Sequence, residues 1–349
     1  MTADRILVVK LRYLGDVLLL SPVVRALREA YPRATITALV NAGTEAMLEG
    51  NPHVDRILTV SRSLSTQPSL VRALRGVRPD LAIDLTDGDR SALLTRLSGA
   101  RRRLGFNDEG RWRGRLYTEV VRADSKRLHA VDYHLEPLRR LGIPIRSRTP
   151  ELFLSESEET AAADWLRTNG VDEDQPFVAV HPGARFWFKQ WPLDRVAALA
   201  DRIQHTEHLP VIILGGPTEA GDLAVIRTAM RTPCRATEGR LPIRLVAAII
   251  RRARLFIGND NGPMHIATAV GTPVVALFGS SDPRVWGPWG DGHRVIYKQV
   301  PCSPCAHTGC DQGEQNCMKL ISLDEVSGVV NDMLRRAATP DVVPMAPRT

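Results

Sequence analysis

Short apolar runs alternate with helix-patterned segments along nearly the whole chain, and the series occurs twice. Ile6–Leu11 is the first run, followed by a helical pattern from about Val17 to Ala30 that ends before Pro32. Ala34–Val40, Arg56–Val60 and Leu81–Leu85 repeat the strand signal, with a short helix after the first and a helix near Pro68–Arg75 before the last. Strands of this length separated by helices predict a parallel sheet covered on both faces. Gly142, Pro144, Pro150 and an acidic cluster interrupt the pattern at 142–160. A second series then begins, with strands at Phe177–Val180, Val211–Leu214, Leu255–Ile257 and Val274–Phe278. Its helices lie near Leu193–Gln204, Glu219–Met230, Ile243–Arg251 and Met264–Val270. The chain reads as α/β, with two Rossmann-like lobes at 1–155 and 156–337 and a loose tail at 338–349 carrying Pro340, Pro344 and Pro347. A length of 349 residues agrees, because one core rarely grows past roughly 250–300.

Composition closes off other classes. With 44% hydrophobic and 24% charged residues the chain is neither disordered, collagen-like nor a disulfide scaffold. No apolar run approaches the ~18 residues of a spanning helix. Met1–Leu11 lacks the apolar block and cleavage site of a signal peptide, so a cytoplasmic protein is expected. Charge is uneven. Residues 1–150 hold 26 Lys and Arg against 16 Asp and Glu, while 151–349 hold 20 against 23. The basic excess therefore belongs to the first lobe and is densest from Arg101 to Arg148. Nucleic acid, anionic lipid and a phosphorylated or carboxylated substrate all fit such a surface, as does a merely solvated Arg-rich face. The 46 basic residues include five lysines: Lys10, Lys126, Lys189, Lys298 and Lys319. Lys is a compact point charge where Arg is a planar fork, so a retained Lys marks a place where Arg is not an equal substitute.

Five segments carry chemistry. Lys10-Leu-Arg-Tyr-Leu-Gly15-Asp16 ends the first strand and places a carboxylate at a helix start, as helix cap or as reactive group. His181-Pro-Gly183-Ala leads through Lys189 to Trp191-Pro192, a glycine turn followed by a cation that suits phosphate. Gly258-Asn-Asp260-Asn261-Gly262-Pro263-Met264-His265 joins a strand to a helix whose N-terminal amides would face an anion. In it Asp260 suits sugar hydroxyls or the orienting of amides, and His265 could reach a phosphate. Gly215-Gly-Pro-Thr-Glu219 brings a carboxylate into a helix start, to hold ribose or to cap. Cys302, Cys305, Cys310 and Cys317 fit a structural zinc better than disulfides, but their spacing is not that of paired C-x-x-C hairpins, so packing or free thiols stay open. No G-x-S-x-G, H-E-x-x-H, Walker A or kinase signature is present.

Taken together, Arg12-Tyr-Leu-Gly-Asp16, His181-Pro-Gly-Ala, Lys189-Gln-Trp-Pro192, Gly258–His265 and Gly271-Thr-Pro-Val-Val-Ala-Leu-Phe-Gly279 resemble the family 9 glycosyltransferases, the ADP-heptose:lipopolysaccharide heptosyltransferases. His129-Ala-Val-Asp-Tyr-His-Leu and the cysteine segment are similar to others in that family, and the resemblance spans roughly 5–335. It implies a GT-B fold, two lobes facing a central cleft, with acceptor on the first and nucleotide sugar on the second. It implies inverting transfer from ADP-L-glycero-D-manno-heptose to the lipopolysaccharide inner core, with no cofactor required for catalysis. On the family pattern Asp16 is the general base and Lys189 meets the donor phosphates. Gly183, Asp260, Asn261, Gly262, Pro263, Met264 and His265 belong to the donor segments, and Glu219 matches a ribose contact. Asn261 stands where some members have Thr or Ser. Arg12, Arg101, Arg111, Arg113 and Arg115 are expected to meet an anionic acceptor, and the basic lobe to rest on the anionic inner face of the inner membrane.

Other readings are a GT-B enzyme with another nucleotide sugar, an NAD-dependent oxidoreductase, and a nucleic-acid binder. The missing G-x-G-x-x-G weighs against the second. The absence of a paired aromatic–basic platform weighs against the third, so no nucleic-acid partner is expected.

Overall fold

The computed structural model describes residues 3–61, 67–305, 309–313 and 316–338. Two six-stranded parallel sheets form its frame. The first contains β1 (Arg5–Lys10), β2 (Thr35–Asn41), β3 (Arg56–Val60), β4 (Leu81–Asp84), β5 (Arg102–Phe106) and β6 (Glu119–Val121), in the order β3-β2-β1-β4-β5-β6. The second contains β7 (Val178–His181), β8 (Val211–Ile213), β9 (Arg235–Ala236), β10 (Leu255–Asn259), β11 (Val274–Phe278) and β12 (Arg294–Tyr297), in the order β12-β11-β10-β7-β8-β9. Counted within each lobe the two orders are the same doubly wound topology. The direction of winding reverses between β1 and β4 and between β7 and β10, and crevices open at the carboxyl ends of those strands.

The helices are α1 (Leu14–Leu18), α2 (Ser21–Ala30), α3 (Gln67–Val77), α4 (Asp89–Leu97), α5 (Ala130–Arg140), α6 (Glu156–Thr168), α7 (Leu193–Thr206), α8 (Ala220–Ala229), α9 (Ile243–Arg252), α10 (Gly262–Ala269), α11 (Pro283–Trp286) and α12 (Leu323–Ala338). Ile6–Val9 of β1 are buried on both faces, as a central parallel strand requires. The single helix read over Val17–Ala30 is two pieces. Pro22 has no amide to continue the ladder, and the Ser21 hydroxyl donates instead to the Leu18 carbonyl at 2.9 Å. Among the elements absent from the sequence reading are β5 and β6, whose half-buried arginines and glutamate hide the strand pattern, and α12. Of the tail expected from 338 onward, Ala338 ends α12 and 339–349 lie outside the described residues.

The chain crosses between the lobes through 141–155, which contains no helix or strand, and enters α6 through a Ser155–Glu158 capping box. Among the described residues, three of the contacts between the lobes stand out. Arg244 at the start of α9 donates to the carbonyls of Ala46 (2.7 Å), Glu49 (3.1 Å) and Phe153 (2.6 Å), and to both Glu158 oxygens (2.5 and 2.8 Å). His129, the N-cap of α5, pairs its Nε2 with the Gly287 carbonyl at 3.0 Å and packs tilted against the Trp289 ring with centroids 4.7 Å apart. Third, Gly15 of α1 meets α10. A Cβ at Gly15 would lie 2.8 Å from the His265 ring and 3.5 Å from the Gly262 Cα, so only glycine permits this approach.

Candidate active site

A cleft of about 1140 Å³ opens between the carboxyl ends of the two sheets. The first lobe lines it with Lys10, Arg12–Asp16, Thr44, Leu85–Asp87, Tyr133 and His134, and the second with His181, Ala184–Phe186, Lys189, Leu214–Glu219, Asp260–Pro263 and His265. These loops follow β1, β4, β7, β8 and β10, so both winding-reversal points face one space.

On the first lobe, Asp16 stands on the opening turn of α1 with its side chain 16% exposed. Lys10 Nζ lies 3.4 Å from its Oδ1. Arg12 forks onto the Thr86 carbonyl through Nε (3.2 Å) and Nη2 (3.1 Å), which fixes it at the cleft wall.

On the second lobe, a short 3₁₀ turn at Trp187–Lys189 delivers Lys189. Its ammonium donates to Asp260 Oδ2 at 2.8 Å and to Ser281 Oγ at 2.6 Å, and Ser281 donates to the same carboxylate oxygen at 2.5 Å. Asp260 therefore orients a cation. Asn261 caps α10 by accepting from the Met264 amide at 3.0 Å, while its own amide donates to the Gly183 carbonyl at 2.7 Å and to His181 Nδ1 at 3.0 Å. The protonated nitrogen of His181 is then Nε2, 3.2 Å from Glu219 Oε2. Burial pushes the Glu219 carboxyl up, but hydrogen bonds from His181 and from the Gly216 amide outweigh it and hold the group below its ordinary value. Gly183 is needed here: a Cβ would fall 1.5 Å from Glu219 Oε1. Burial lowers the His265 imidazole to about 4, so it is neutral near pH 7, and its Nδ1 has no hydrogen-bond partner. Any phosphate would meet it as a neutral ring.

The structure gathers Asp16, Lys189, Glu219, Asp260, Asn261, Gly262, Pro263, His265 and Arg12 around the cleft. Gly183 packs behind Glu219 and Asn261, whereas Met264 and the other four arginines are not brought there. Met264 points into the core at 0% exposure, and its amide is spent on Asn261, so it offers no anion contact. Arg113 is 2% exposed and bound to Asp87 (2.6 Å), Asp89 (3.3 Å) and Glu109 (3.5 Å), so its charge is met by carboxylates inside the lobe and not presented to an acceptor anion. Arg111 pairs with Asp89 at 3.0 Å, Arg115 is exposed on the neighbouring turn, and Arg101 precedes the amino end of β5, the end opposite the cleft. The sequence reading passed over Arg185, whose guanidinium lies 4.0 Å from the Tyr13 ring across the cleft. Its place inside His181–Pro192 was the available signal.

Cys302, Cys305, Cys310 and Cys317 all border one small cavity of about 320 Å³ beside Phe188 and Ser280. All are free of disulfides, and burial raises the thiols of Cys305 and Cys317. Among the described residues no three His, Cys, Asp or Glu side chains are grouped to hold a metal ion. The structural zinc left open by the cysteine spacing is not indicated among the described residues, and residues 306–308 and 314–315 of the segment lie outside them.

The model of the family described as glycosyltransferase family 9 (heptosyltransferase) matches residues 68–315. The chain belongs to glycosyltransferase family 9. Lipopolysaccharide heptosyltransferase 3 of Escherichia coli is 28% identical over 354 residues, covering 94% of this chain and 99% of that one. A protein of the same name from strain K12 is 32% identical over 294 residues, covering 80% and 83%. The structure of E. coli ADP-heptose lipopolysaccharide heptosyltransferase II matches with a TM-score of 0.79 at 25% identity, over 96% of this chain and 100% of that one. This family 9 enzyme is therefore a glycosyltransferase of the two-lobed GT-B form expected from its sequence.

Proposed function

We propose that this enzyme transfers heptose from ADP-L-glycero-D-manno-heptose to a hydroxyl of the lipopolysaccharide inner core, with inversion at the anomeric carbon. One observation carries the reading: a carboxylate, Asp16, and an oriented cation, Lys189, line opposite walls of one cleft beside the N-terminus of α10. Asp16 takes the proton of the acceptor hydroxyl as its oxygen bonds to the anomeric carbon. The bond from that carbon to the diphosphate breaks on the other side, and ADP leaves with the electron pair. Lys189 and the positive end of α10 meet the charge that develops there. Glu219, held in place by His181, is positioned to accept from ribose hydroxyls. The names of the relatives support heptose and lipopolysaccharide as donor sugar and acceptor.

A peripheral place on the cytoplasmic side of the inner membrane completes the proposal. No helix among the described residues is long and apolar enough to cross a membrane. The outer layer of the first lobe, α3, α4 and the turn Trp112–Leu116, exposes Arg72, Arg75, Arg90, Arg96, Arg111 and Arg115 around Leu93 (46% exposed) and Trp112 (53%). Cations around an aromatic suit an anionic headgroup layer, at roughly 1 kcal/mol per cation.

The test supplies ADP-heptose and inner-core-truncated lipopolysaccharide without metal, and reads ADP release and the anomeric configuration of the product. Retention of configuration would refute the Asp16 role. Selective binding of UDP or GDP over ADP would replace the donor.

A further inference from the structure

Lys10 is 4% exposed at the carboxyl end of β1, beneath Asp16. Its ammonium has three neighbours for its three protons: the Leu85 carbonyl at 2.9 Å, His134 Nε2 at 2.7 Å and Asp16 Oδ1 at 3.4 Å. His134 is buried as well, and burial, reinforced by the charge of Lys10, pushes its imidazole well below its ordinary value. The neutral ring accepts from Lys10 at Nε2 and turns Nδ1–H toward the Leu19 carbonyl at 3.4 Å. Burying a lysine is expensive, and a methionine of similar length would fill this space without desolvating a charge. The four residues before it, Ile6–Val9, are apolar and buried, so strand packing does not ask for a cation. What the cation does meet is Asp16, one carboxylate oxygen of which it holds.

We propose that Lys10, oriented by His134, is the positioning residue for Asp16: it fixes Oδ1 so that Oδ2 faces the acceptor hydroxyl. The inference rests on Asp16 being the general base. Oδ2 receives the hydroxyl proton as the new glycosidic bond forms and the ADP oxygen departs, and Lys10 keeps its own protons throughout. Burial pulls the Lys10 ammonium below its ordinary value, and the Asp16 carboxylate is the main influence opposing that. Other titratable groups around the pair are Arg12 on the loop, Asp84 on β4, His129 on α5 and His265 on α10, and each stays in place in the variants below.

The experiment compares Lys10→Met, His134→Leu, His134→Gln and Asp16→Asn by steady-state kinetics across pH, with ADP affinity and melting temperature measured alongside. Lys10→Met should lower kcat about 100-fold with donor KM changed by less than about twofold. His134→Leu should lower kcat in the same way, and His134→Gln, which keeps an acceptor, should recover most of the loss. Wild-type kcat in Lys10→Met would overturn the inference, and so would a loss confined to KM or to ADP affinity. If Lys10→Met does not fold, the two His134 variants decide, and equal behaviour of Leu and Gln there overturns it. Wild-type turnover by Asp16→Asn would instead refute the base, and with it the reading beneath.

Discussion

Replacing Arg113 with methionine separates a ligand-binding arginine from a structural one. The side chain is 2% exposed, and its guanidinium joins Asp87, Asp89 and Glu109. Breaking a buried ion pair by removing one partner costs about 3–5 kcal/mol when the remaining charge stays buried. Here the stranded carboxylates are 26%, 37% and 61% exposed, so water recovers part of their solvation. Methionine also keeps most of the packing of the aliphatic stem. A loss of roughly 2–3 kcal/mol follows. For a unit the size of the first lobe each kcal/mol moves the midpoint by about 2–4 °C, so Arg113→Met should melt about 5–10 °C lower. Differential scanning calorimetry reads this, and heptosyl transfer assayed well below the transition should keep kcat/KM within about threefold of wild type. An unchanged melting temperature with a kcat/KM loss of a hundredfold would refute the reasoning and make Arg113 an acceptor contact.

Lys189→Arg should lower kcat about 10–100-fold with little change in melting temperature, because a planar fork cannot repeat the single-point contacts to Asp260 and Ser281; full activity would remove the claim. Asp16→Asn should abolish transfer while calorimetry still finds ADP bound. Gly183→Ala should displace Glu219 from His181 and weaken ADP binding about tenfold or more, since the new methyl falls on the carboxylate. The Arg244 guanidinium holds the Glu158 carboxyl down at about 2 against an ordinary 4.5. A depressed folded value means that the pair's stabilisation is complete above about pH 4.5 and is lost as pH falls toward 2, so Glu158→Gln should flatten the acid-denaturation curve in that window. Changing Arg90, Arg96 and Trp112 together to Gln, Gln and Ser should weaken co-sedimentation with phosphatidylglycerol vesicles about 30-fold or more, without effect on phosphatidylcholine vesicles.

Much of this was legible in the chain, and the reasons are physical. Buried parallel strands read as continuous apolar runs, so β1, β7, β10 and β11 could be placed to within two residues. The cleft loops were legible because glycine, proline and carboxylates cluster where a strand passes into a helix: Asp16, Lys189, Glu219 and Asp260 all face the cleft. Pairing over long separations was not legible. Local pattern does not reveal that Asp260 spends its charge on Lys189, 71 positions away, or that Lys10 reaches His134 over 124. The same limit explains the arginines. A basic run reads as a patch for anions, but whether each guanidinium faces solvent or a carboxylate depends on the turn between β5 and β6, and there Arg113 turned inward. The tail from 339 onward lies outside the described residues, so its expected looseness was not met by an observation.

The contact of Gly15 with α10 works as a spacer of zero length. The proposed base and the proposed donor cradle belong to different lobes, so the gap between them is set by whatever lies where α1 touches α10. At that point neither Gly15 nor Gly262 has a side chain. Adding one carbon at position 15 would meet the His265 ring at 2.8 Å and wedge the two half-sites apart, while leaving every catalytic side chain in its own lobe intact. Displacements of about 1 Å cost on the order of a hundredfold in rate when reacting groups must meet in line. The reach of the enzyme is thus written partly in atoms it does not have, and position 15 can drift in sequence only at the expense of the distance between its two chemical ends.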